Sequence, residues 1–390
     1  MTSSSTPEAA GAEAVALHRL AADELSALPA GIGDVHAAIA GRVFGALGPL
    51  GAPVRVVHDA ASLGAYRGVR GGLRTLFRAA GAPAVRRAGT WPLSATPRGA
   101  ALIAAVDGLI GDALEREGSP LAVEMAFRVD GAPVAPGDLD PGRRPVVFLH
   151  GLGETEFSWR LGGEPYGSRL PGRTPLYVRY NTGRHVSDNG ASLDALLEEL
   201  PECEDIALVG HSMGGLVARS ACHQGARRGA AWTRRVRHVV SLGTPHMGAP
   251  LAQGVHVLAA GLHALPETRP LSRFLRRRSA GIRDLRHGSL VDEDWRDRDP
   301  DALRAKACQE IPLLDGAVHC FVAATVTRSD RHPVARLLGD ALVLSPSASG
   351  RSRTRRIPFD AEYGLTFGPA HHIALLNHPR VYEQLRTWLA

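Results

Sequence analysis

The stretch "ALVGHSMGGLVARSA", residues 207–221, constrains the fold more than any other part of the chain. A short apolar run, typical of a buried strand, leads directly into Gly210-His211-Ser212-Met213-Gly214 and then into a helical pattern. Glycine two residues either side of Ser212 permits a sharp strand-to-helix turn, because a side chain there would collide with neighbouring backbone. Such a turn presents the serine hydroxyl at the helix N-terminus. The stretch therefore predicts a nucleophilic serine rather than a simple tight turn.

Short apolar runs recur at intervals downstream of residue 145, and segments with helical periodicity separate them. This alternation predicts a mostly parallel sheet covered by helices on both faces, the α/β class. An earlier strand is predicted over Leu121–Val129, where apolar residues alternate, and Asp130-Gly131 then predicts a tight hairpin turn. The five runs predicted as strands are 145–151, 175–181, 205–212, 236–243 and 319–326.

The first third of the chain has the periodicity of helices and no strand pattern. Apolar residues recur on one helix face within Val35–Leu47, Leu63–Phe77 and Leu102–Leu114. Such stripes need a partner surface that buries them. We therefore predict a helical N-terminal region over 1–118 and an α/β domain over 119–390.

Residues 250–315 carry no strand pattern, although they interrupt the predicted α/β domain. An insertion of that length in a compact domain is usually either functional or disordered. We predict that it forms a lid over one end of the sheet. Its apolar stretch Val255–Leu265 precedes an arginine-rich stretch, Arg273–Arg286. Such a segment can lie on an anionic lipid surface. A solvated charged face is the alternative.

The net charge of +6 raises the question of nucleic-acid binding. Nearly all basic residues are arginines, and Lys306 is the only lysine, which indicates the codon bias of a GC-rich genome. Because no nucleic-acid motif accompanies the charge, we do not predict nucleic-acid binding. The N-terminal segment lacks the pattern of a secretory signal, and no apolar run reaches the roughly 18 residues of a membrane span. These features favour a cytoplasmic protein.

Four cysteines are spaced without a CxxC pair. We expect them to be free thiols. A Cys308–Cys320 disulfide is the alternative, and it would require an oxidising compartment.

A nucleophilic serine needs a base to take its proton and donors that stabilise the developing oxyanion. The backbone N–H of Met213, directly after the serine, is one candidate donor. The second candidate is the N–H of Leu152, in the loop that follows the predicted strand 145–151. His150 is expected to brace that loop rather than to transfer protons.

Six motifs carry a resemblance to a known family. The motifs are "HGLGETEFSW", "YNTGRH", "GHSMGG", "SLGTPHMGAPLA", "GDALV" and "HHIALLNHPRVY". Together they resemble an α/β-hydrolase of the lipase and esterase kind, and most of all the bacterial group similar to the GPI-anchor inositol deacylases. The resemblance covers roughly 145–390 and implies an α/β-hydrolase fold, with His246 as a pocket or structural residue.

This fold implies the chain order nucleophile, acid, base. The base should therefore follow the last strand, which is predicted in "EYGLTFGPA". Three histidines follow it. Pro379 suits the first turn of a helix, which places His378 at the helix cap. Lipase-like sequences have the pattern H-x-x-L-L-x-H-P. In this chain the pattern begins at His372, and His371 lies just outside it. His372 is the predicted base. A metal site is disfavoured, since no carboxylate or cysteine ligands cluster nearby.

Two aspartates compete for the role of the acid. Asp330 lies in a polar turn between arginines, where an exposed ion pair would explain it. Asp340 lies between apolar residues, which would shield its carboxylate and strengthen its interaction with an imidazolium. Its surroundings also resemble the Asp-Gly-Leu-Val of many lipases, with Ala341 where glycine is usual. Asp340 is the predicted acid.

The sequence thus predicts a serine hydrolase that cleaves carboxylic esters of a lipid-like kind and needs no cofactor or metal. Ser212 attacks the acyl carbon, His372 transfers the proton and Asp340 orients His372. A thioesterase, amidase or acyltransferase with the same triad is an alternative, because the fold does not determine the leaving group. A non-catalytic binding protein, whose arginine-rich lid docks an acidic partner or a membrane surface, is another.

Overall fold

The computed structural model divides into two units. The first comprises residues 1–93, 119–121 and 254–277, and the second comprises 94–118, 122–253 and 278–390. The described residues are 8–23, 92–249, 278–299, 308–328, 339–352 and 355–390, with single positions and runs of two or three residues between 37 and 75. In the first unit, residues 8–23 are helical. The apolar stripes predicted over Val35–Leu47 and Leu63–Phe77 lie mostly outside the described residues.

An eight-stranded sheet forms the centre of the second unit. Its strands are β1 (Ala126–Val129), β2 (Ala132–Val134), β3 (Pro145–Leu149), β4 (Thr174–Arg179), β5 (Ile206–His211), β6 (Val236–Leu242), β7 (Val318–Ala324) and β8 (Gly364–Phe367). Their order is β2-β1-β4-β3-β5-β6-β7-β8. All neighbours from β4 to β8 are parallel, and β1 is antiparallel to both β4 and β2. The predicted mostly parallel sheet is confirmed.

The first hairpin differs in part from its prediction. β1 begins at Ala126 rather than at Leu121, because Ala126 pairs with Arg179, the last residue of β4, and the sheet offers no partner beyond it. The turn is as predicted. Asp130 and Gly131 have φ values of 48° and 86° and connect directly paired residues, as a two-residue hairpin turn requires.

Helices cover both faces of the sheet. They are α1 (Pro97–Arg116), α2 (Tyr166–Arg169), α3 (Val186–Glu198), α4 (Met213–Arg228), α5 (Ala280–Leu285), α6 (Ser345–Ala348) and α7 (Pro379–Trp388). The 3₁₀ helices are Leu93–Ala95, Pro136–Asp138, Glu156–Arg160, Ala231–Arg235, Asp292–Asp294, Ala361–Tyr363 and His372–Leu376.

Separate apolar cores cover the two faces of the sheet, and a smaller third cluster lies around Phe321 and Phe359. Val147 and Leu149 of β3 point into the core that contains α3 and α4, whereas Val146 and Phe148 point into the core that contains α7. This alternation follows from the pleat of a strand, which directs successive side chains to opposite faces. All four side chains are fully buried. A strand buried on both faces explains why its sequence is continuously apolar.

Helix α1 lies in the same unit as the sheet, although its residues were predicted to belong to the N-terminal region 1–118. Its buried face also differs from the predicted stripe, since Leu102 and Leu109 remain 48% and 57% exposed. Its buried face consists mostly of small residues, together with Ile103 and Leu114. A Cβ added at Gly111 would lie 2.0 Å from Asn181 Oδ1, so glycine allows a closer approach than an apolar side chain would.

The same face of α1 buries a carboxyl group. Asp107 is 1% exposed, and burial raises its pKa to about 8. The Asp107 carboxyl is therefore largely protonated at neutral pH.

The described part of the predicted lid belongs to the second unit and packs tightly within it. In α5, Gly281 N–H donates to Gly183 O at 3.1 Å, and the Asp284 carboxylate accepts from Val186 N–H at 2.8 Å. Arg286, expected on a cationic surface, is instead only 7% exposed. The apolar stretch Val255–Leu265 lies outside the described residues.

All four cysteines are free thiols, so the alternative Cys308–Cys320 disulfide is absent. Among the helices that the structure describes, none is both long and apolar enough to cross a membrane.

The contact between α1 and the loop after β4 can be tested at Gly183. An added Cβ would lie 2.2 Å from Asp107 O and 2.6 Å from Gly111 N, both backbone atoms. We expect Gly183→Ala to lower the free energy of unfolding by about 1–3 kcal/mol, measured by denaturant titration. The control is Gly137→Ala, where an added Cβ meets nothing within 4 Å and a change within about 0.5 kcal/mol is expected. Equal stability of the two variants would contradict this packing.

Candidate active site

Ser212 occupies a strained turn between β5 and α4. Its φ of 52° and ψ of −119° are unusual for a residue with a side chain. The turn exists because its neighbours are glycines. A Cβ at Gly210 would lie 2.3 Å from Gly215 N, and one at Gly214 would lie 2.3 Å from Leu149 O. The sharp turn predicted from the glycine spacing is confirmed, and Met213 N–H stands at the first position of α4.

The loop after β3 is held by several hydrogen bonds. Gly151 N–H donates to Glu154 Oε2 at 2.8 Å, and Gly153 N–H donates to Thr182 Oγ1 at 3.1 Å. Leu152, the candidate second oxyanion donor, therefore lies between two anchored amides. The loop follows the carboxyl end of β3, next to β5 in the sheet.

His150 braces this loop. Its Nδ1 donates to Gly151 O at 2.9 Å, while its Nε2 accepts from Tyr180 N–H at 3.3 Å. Burial lowers the pKa of His150 to about 4. A neutral imidazole with both nitrogens engaged is suited to bracing, as expected from the sequence.

The structure brings Asp340 and His372 together. His372 Nδ1 lies 2.7 Å from Asp340 Oδ2, and His372 N–H donates to Asp340 O at 2.9 Å. Both side chains are buried, at 5% and 1% exposure. The His372 ring lies over the turn after β6, since a Cβ added at Gly243 would be 3.1 Å from His372 Nδ1. Ser212 N–H donates to the last carbonyl of β6, at Leu242, so this turn adjoins the serine.

The second oxygen of Asp340 is also occupied. Leu342 N–H and Val343 N–H donate to Oδ1 at 3.0 and 2.8 Å. These bonds require a tight turn in which Ala341 has a φ of 84°, a conformation that usually favours glycine. The turn that orders the Asp340 carboxylate is thus formed with alanine at a position where glycine is usual. The competing Asp330 lies outside the described residues.

The other two histidines of the cluster are helix caps. His371 Nδ1 accepts from Ala374 N–H at 3.3 Å at the start of the 3₁₀ helix His372–Leu376. His378 Nδ1 accepts from Arg380 N–H at 3.2 Å at the start of α7. The cap position predicted for His378 is confirmed.

Sequence reasoning missed a second buried pair beside the serine. His211 Nδ1 lies 3.0 Å from Glu154 Oε2, and His211 Nε2 lies 3.3 Å from His372 O. Both residues were present in the quoted motifs, "GHSMGG" and "HGLGETEFSW". Only the spatial contact between the motifs shows that they form a pair.

His246 lies apart from this arrangement. It is fully buried, its carbonyl accepts from Arg355 at 2.7 Å, and its Nδ1 lies 3.4 Å from Arg219. Burial and these arginines hold the pKa of His246 well below its ordinary value. A buried neutral histidine here fits the structural role expected for it.

The sheet order, the strained serine between β5 and α4, and the Asp–His pair beyond β7 and β8 define an α/β-hydrolase fold. Residues 189–295 match the model of the PGAP1-like alpha/beta domain family. The match includes Ser212 and excludes Asp340 and His372.

Several solved structures are similar to the chain. Lipase BlEst2 of Bacillus licheniformis, in its mature form, is 21% identical with a TM-score of 0.42, over 64% of this chain and 94% of that one. The metagenomic carboxyl esterase MGS0156 is 15% identical with a TM-score of 0.37, over 73% and 89%. The thioesterase RedJ of Streptomyces coelicolor is 20% identical with a TM-score of 0.36, over 66% and 97%. No curated protein sequence matches the chain.

The cap at His378 leads to a stability prediction. His378→Ala should lower the free energy of unfolding by about 0.5–2 kcal/mol, because Arg380 N–H loses its acceptor. His378→Asn should recover most of that loss, since asparagine is a good cap. Denaturant titration measures both variants. An alanine variant as stable as the wild type, or an asparagine variant as unstable as alanine, would contradict the cap.

Proposed function

We propose that this protein is a serine hydrolase that cleaves carboxylic esters through an acyl-enzyme. Ser212 attacks the acyl carbon while His372 takes its proton, and His372 then returns a proton to the leaving alcohol. Water, activated by the same histidine, releases the acid. The N–H groups of Met213 and Leu152 stabilise the oxyanion in both steps.

The Asp340–His372 pair is the observation that carries this proposal. Nδ1 of His372 donates to a buried carboxylate at 2.7 Å, which leaves Nε2 as the nitrogen that accepts a proton. The same carboxylate stabilises the imidazolium that forms during the attack. The strained conformation of Ser212 adds support, because strain of this kind is common at catalytic positions.

The substrate class is proposed to be lipid-like esters, with residues 250–315 shaping the acyl pocket as a lid. The motifs shared with lipases and esterases support this substrate class, as does the apolar stretch Val255–Leu265 within the insertion. Peripheral contact with a membrane belongs to the same proposal. A panel of chromogenic esters from short to long acyl chains tests it, and faster cleavage of thioesters than of any oxygen ester would favour the thioesterase alternative.

A reactive-serine probe separates the hydrolase from a non-catalytic binding protein. A fluorophosphonate should label Ser212 in the wild type. Ser212→Ala should abolish labelling and lower ester turnover by up to ~10⁶-fold. His372→Ala should lose activity about as fully.

His371→Ala is the matched control for the base, because it removes the neighbouring imidazole and only a cap interaction. It should keep a measurable fraction of the activity. Near-wild-type turnover in Ser212→Ala would reject the mechanism, and an active His372→Ala beside an inactive His371→Ala would move the base to His371.

The acid is tested by neutral replacement. Asp340→Asn keeps the size of the side chain but loses its charge, so His372 is no longer held in the productive tautomer. Turnover should fall by on the order of 10⁴-fold, measured on a chromogenic ester. Asp330→Asn is the control and should stay near wild type. The reverse result would place the acid at Asp330.

A further inference from the structure

His211 and Glu154 form a buried ion pair at the residue before the nucleophile. Nδ1 of His211 lies 3.0 Å from Glu154 Oε2, and Nε2 lies 3.3 Å from His372 O. Both neighbours are acceptors, so the form of the ring that satisfies both contacts has a proton on each nitrogen, which is the imidazolium. The side chains are 0% and 12% exposed.

The electrostatics agree with this geometry. Burial by itself would lower the pKa of His211, but the charge and hydrogen bond of Glu154, with the carbonyl of His372 and the charge of Asp340, hold the pKa above its ordinary value. Burial would likewise raise the pKa of Glu154, and His211 holds it below its ordinary value. The titratable groups that face His211 are thus Glu154, Asp340 and His372, and the Trp159 ring lies roughly perpendicular to it with the centroids 6.4 Å apart.

The pair connects the two loops that the proposed chemistry uses. Glu154 Oε2 also accepts from Gly151 N–H at 2.8 Å, in the loop that carries Leu152. His211 reaches the carbonyl of His372, in the loop that carries the base. One imidazolium at the end of β5 therefore joins the ends of β3 and β8 across the serine turn.

We propose that the His211–Glu154 pair is a positioning element, which holds the Leu152 loop and the His372 loop in register with Ser212. This positioning role rests on the proposed hydrolase function. It would make the activity of the hydrolase depend on the protonation of His211, and so on pH. Neither side chain needs to touch the substrate. The pair therefore acts mainly on kcat, because displacement of reacting groups by about 1 Å costs on the order of 100-fold in rate.

The test compares Glu154→Gln, His211→Gln and the double variant with the wild type, in the full chain. The kcat for a chromogenic ester is calculated per active site, with the active sites counted by fluorophosphonate labelling. Each single variant should lower this kcat by about 10- to 100-fold and keep KM within about 3-fold of the wild-type value. The double variant should lose no more than the worse single variant, because the two residues act as one unit. It also avoids an unpaired buried charge, so it keeps the test valid if a single variant does not fold.

The pH profile gives a readout that a merely structural role would not change. In the wild type, kcat should fall at alkaline pH, as His211 loses its proton above its raised pKa. Glu154→Gln removes the charge that opposes burial, so this alkaline limb should move to lower pH. His211→Gln should have no such limb. An NMR titration of His211 in Ser212→Ala should give the same pKa as the wild-type limb.

Asp194→Asn is the control. Asp194 is a buried carboxylate bonded to Arg228 at 2.6 Å, and Arg228 lies about 22 Å along α4 from Met213. It should lower stability and leave kcat and the pH profile unchanged. If the probe labels the His211 and Glu154 variants, and they have the wild-type kcat and the wild-type alkaline limb, the positioning role is wrong but the hydrolase function is not. A wild type that the probe does not label would reject the hydrolase function and the positioning role together.

Discussion

The close approach of α4 to the carboxyl ends of β3 and β6 is the constraint on which the site depends. Gly214 lies against the last carbonyl of β3, and a Cβ at Gly215 would lie 2.1 Å from Thr244 Oγ1. Any side chain at these positions would move the helix away from the sheet. With the helix in place, Ser212 must turn sharply, and the loops that follow β3, β5 and β6 converge on it because parallel strands end at one edge.

Two carboxylates, the buried Asp340 and the largely buried Glu154, complete the site in the same manner. Asp340 accepts from an imidazole and from two backbone N–H groups of its own turn. Glu154 accepts from an imidazole and from the N–H of Gly151. In each case the carboxylate orders a loop and a histidine together, so a buried charge has its hydrogen bonds satisfied. The two imidazole rings, His211 and His372, lie with their centroids 4.7 Å apart.

Much of this arrangement could be predicted, because short stretches of sequence encode it. Strands and the serine turn are encoded by short patterns: apolar runs of five to seven residues and glycines that flank Ser212. The caps are encoded locally too, as Pro379 shows for His378. The His211–Glu154 pair was not predictable, because its members lie 57 residues apart and no period connects them. The prediction of which face of α1 is buried was wrong for a different reason. The close contacts of this helix require small residues, whereas an apolar stripe was expected.

Helix α1 also gives the protein a link between folding and proton exchange. Asp107 holds a proton at neutral pH in the folded chain, because burial raises its pKa to about 8. In the unfolded chain the same carboxyl has an ordinary pKa near 3.8 and is ionised. The folded state binds more protons between these two values, so this group stabilises the fold at acid pH and progressively less as the pH rises toward 8. Unfolding at pH 7 therefore releases close to one proton from this position, and the heat of unfolding includes the ionisation enthalpy of the buffer that takes it up.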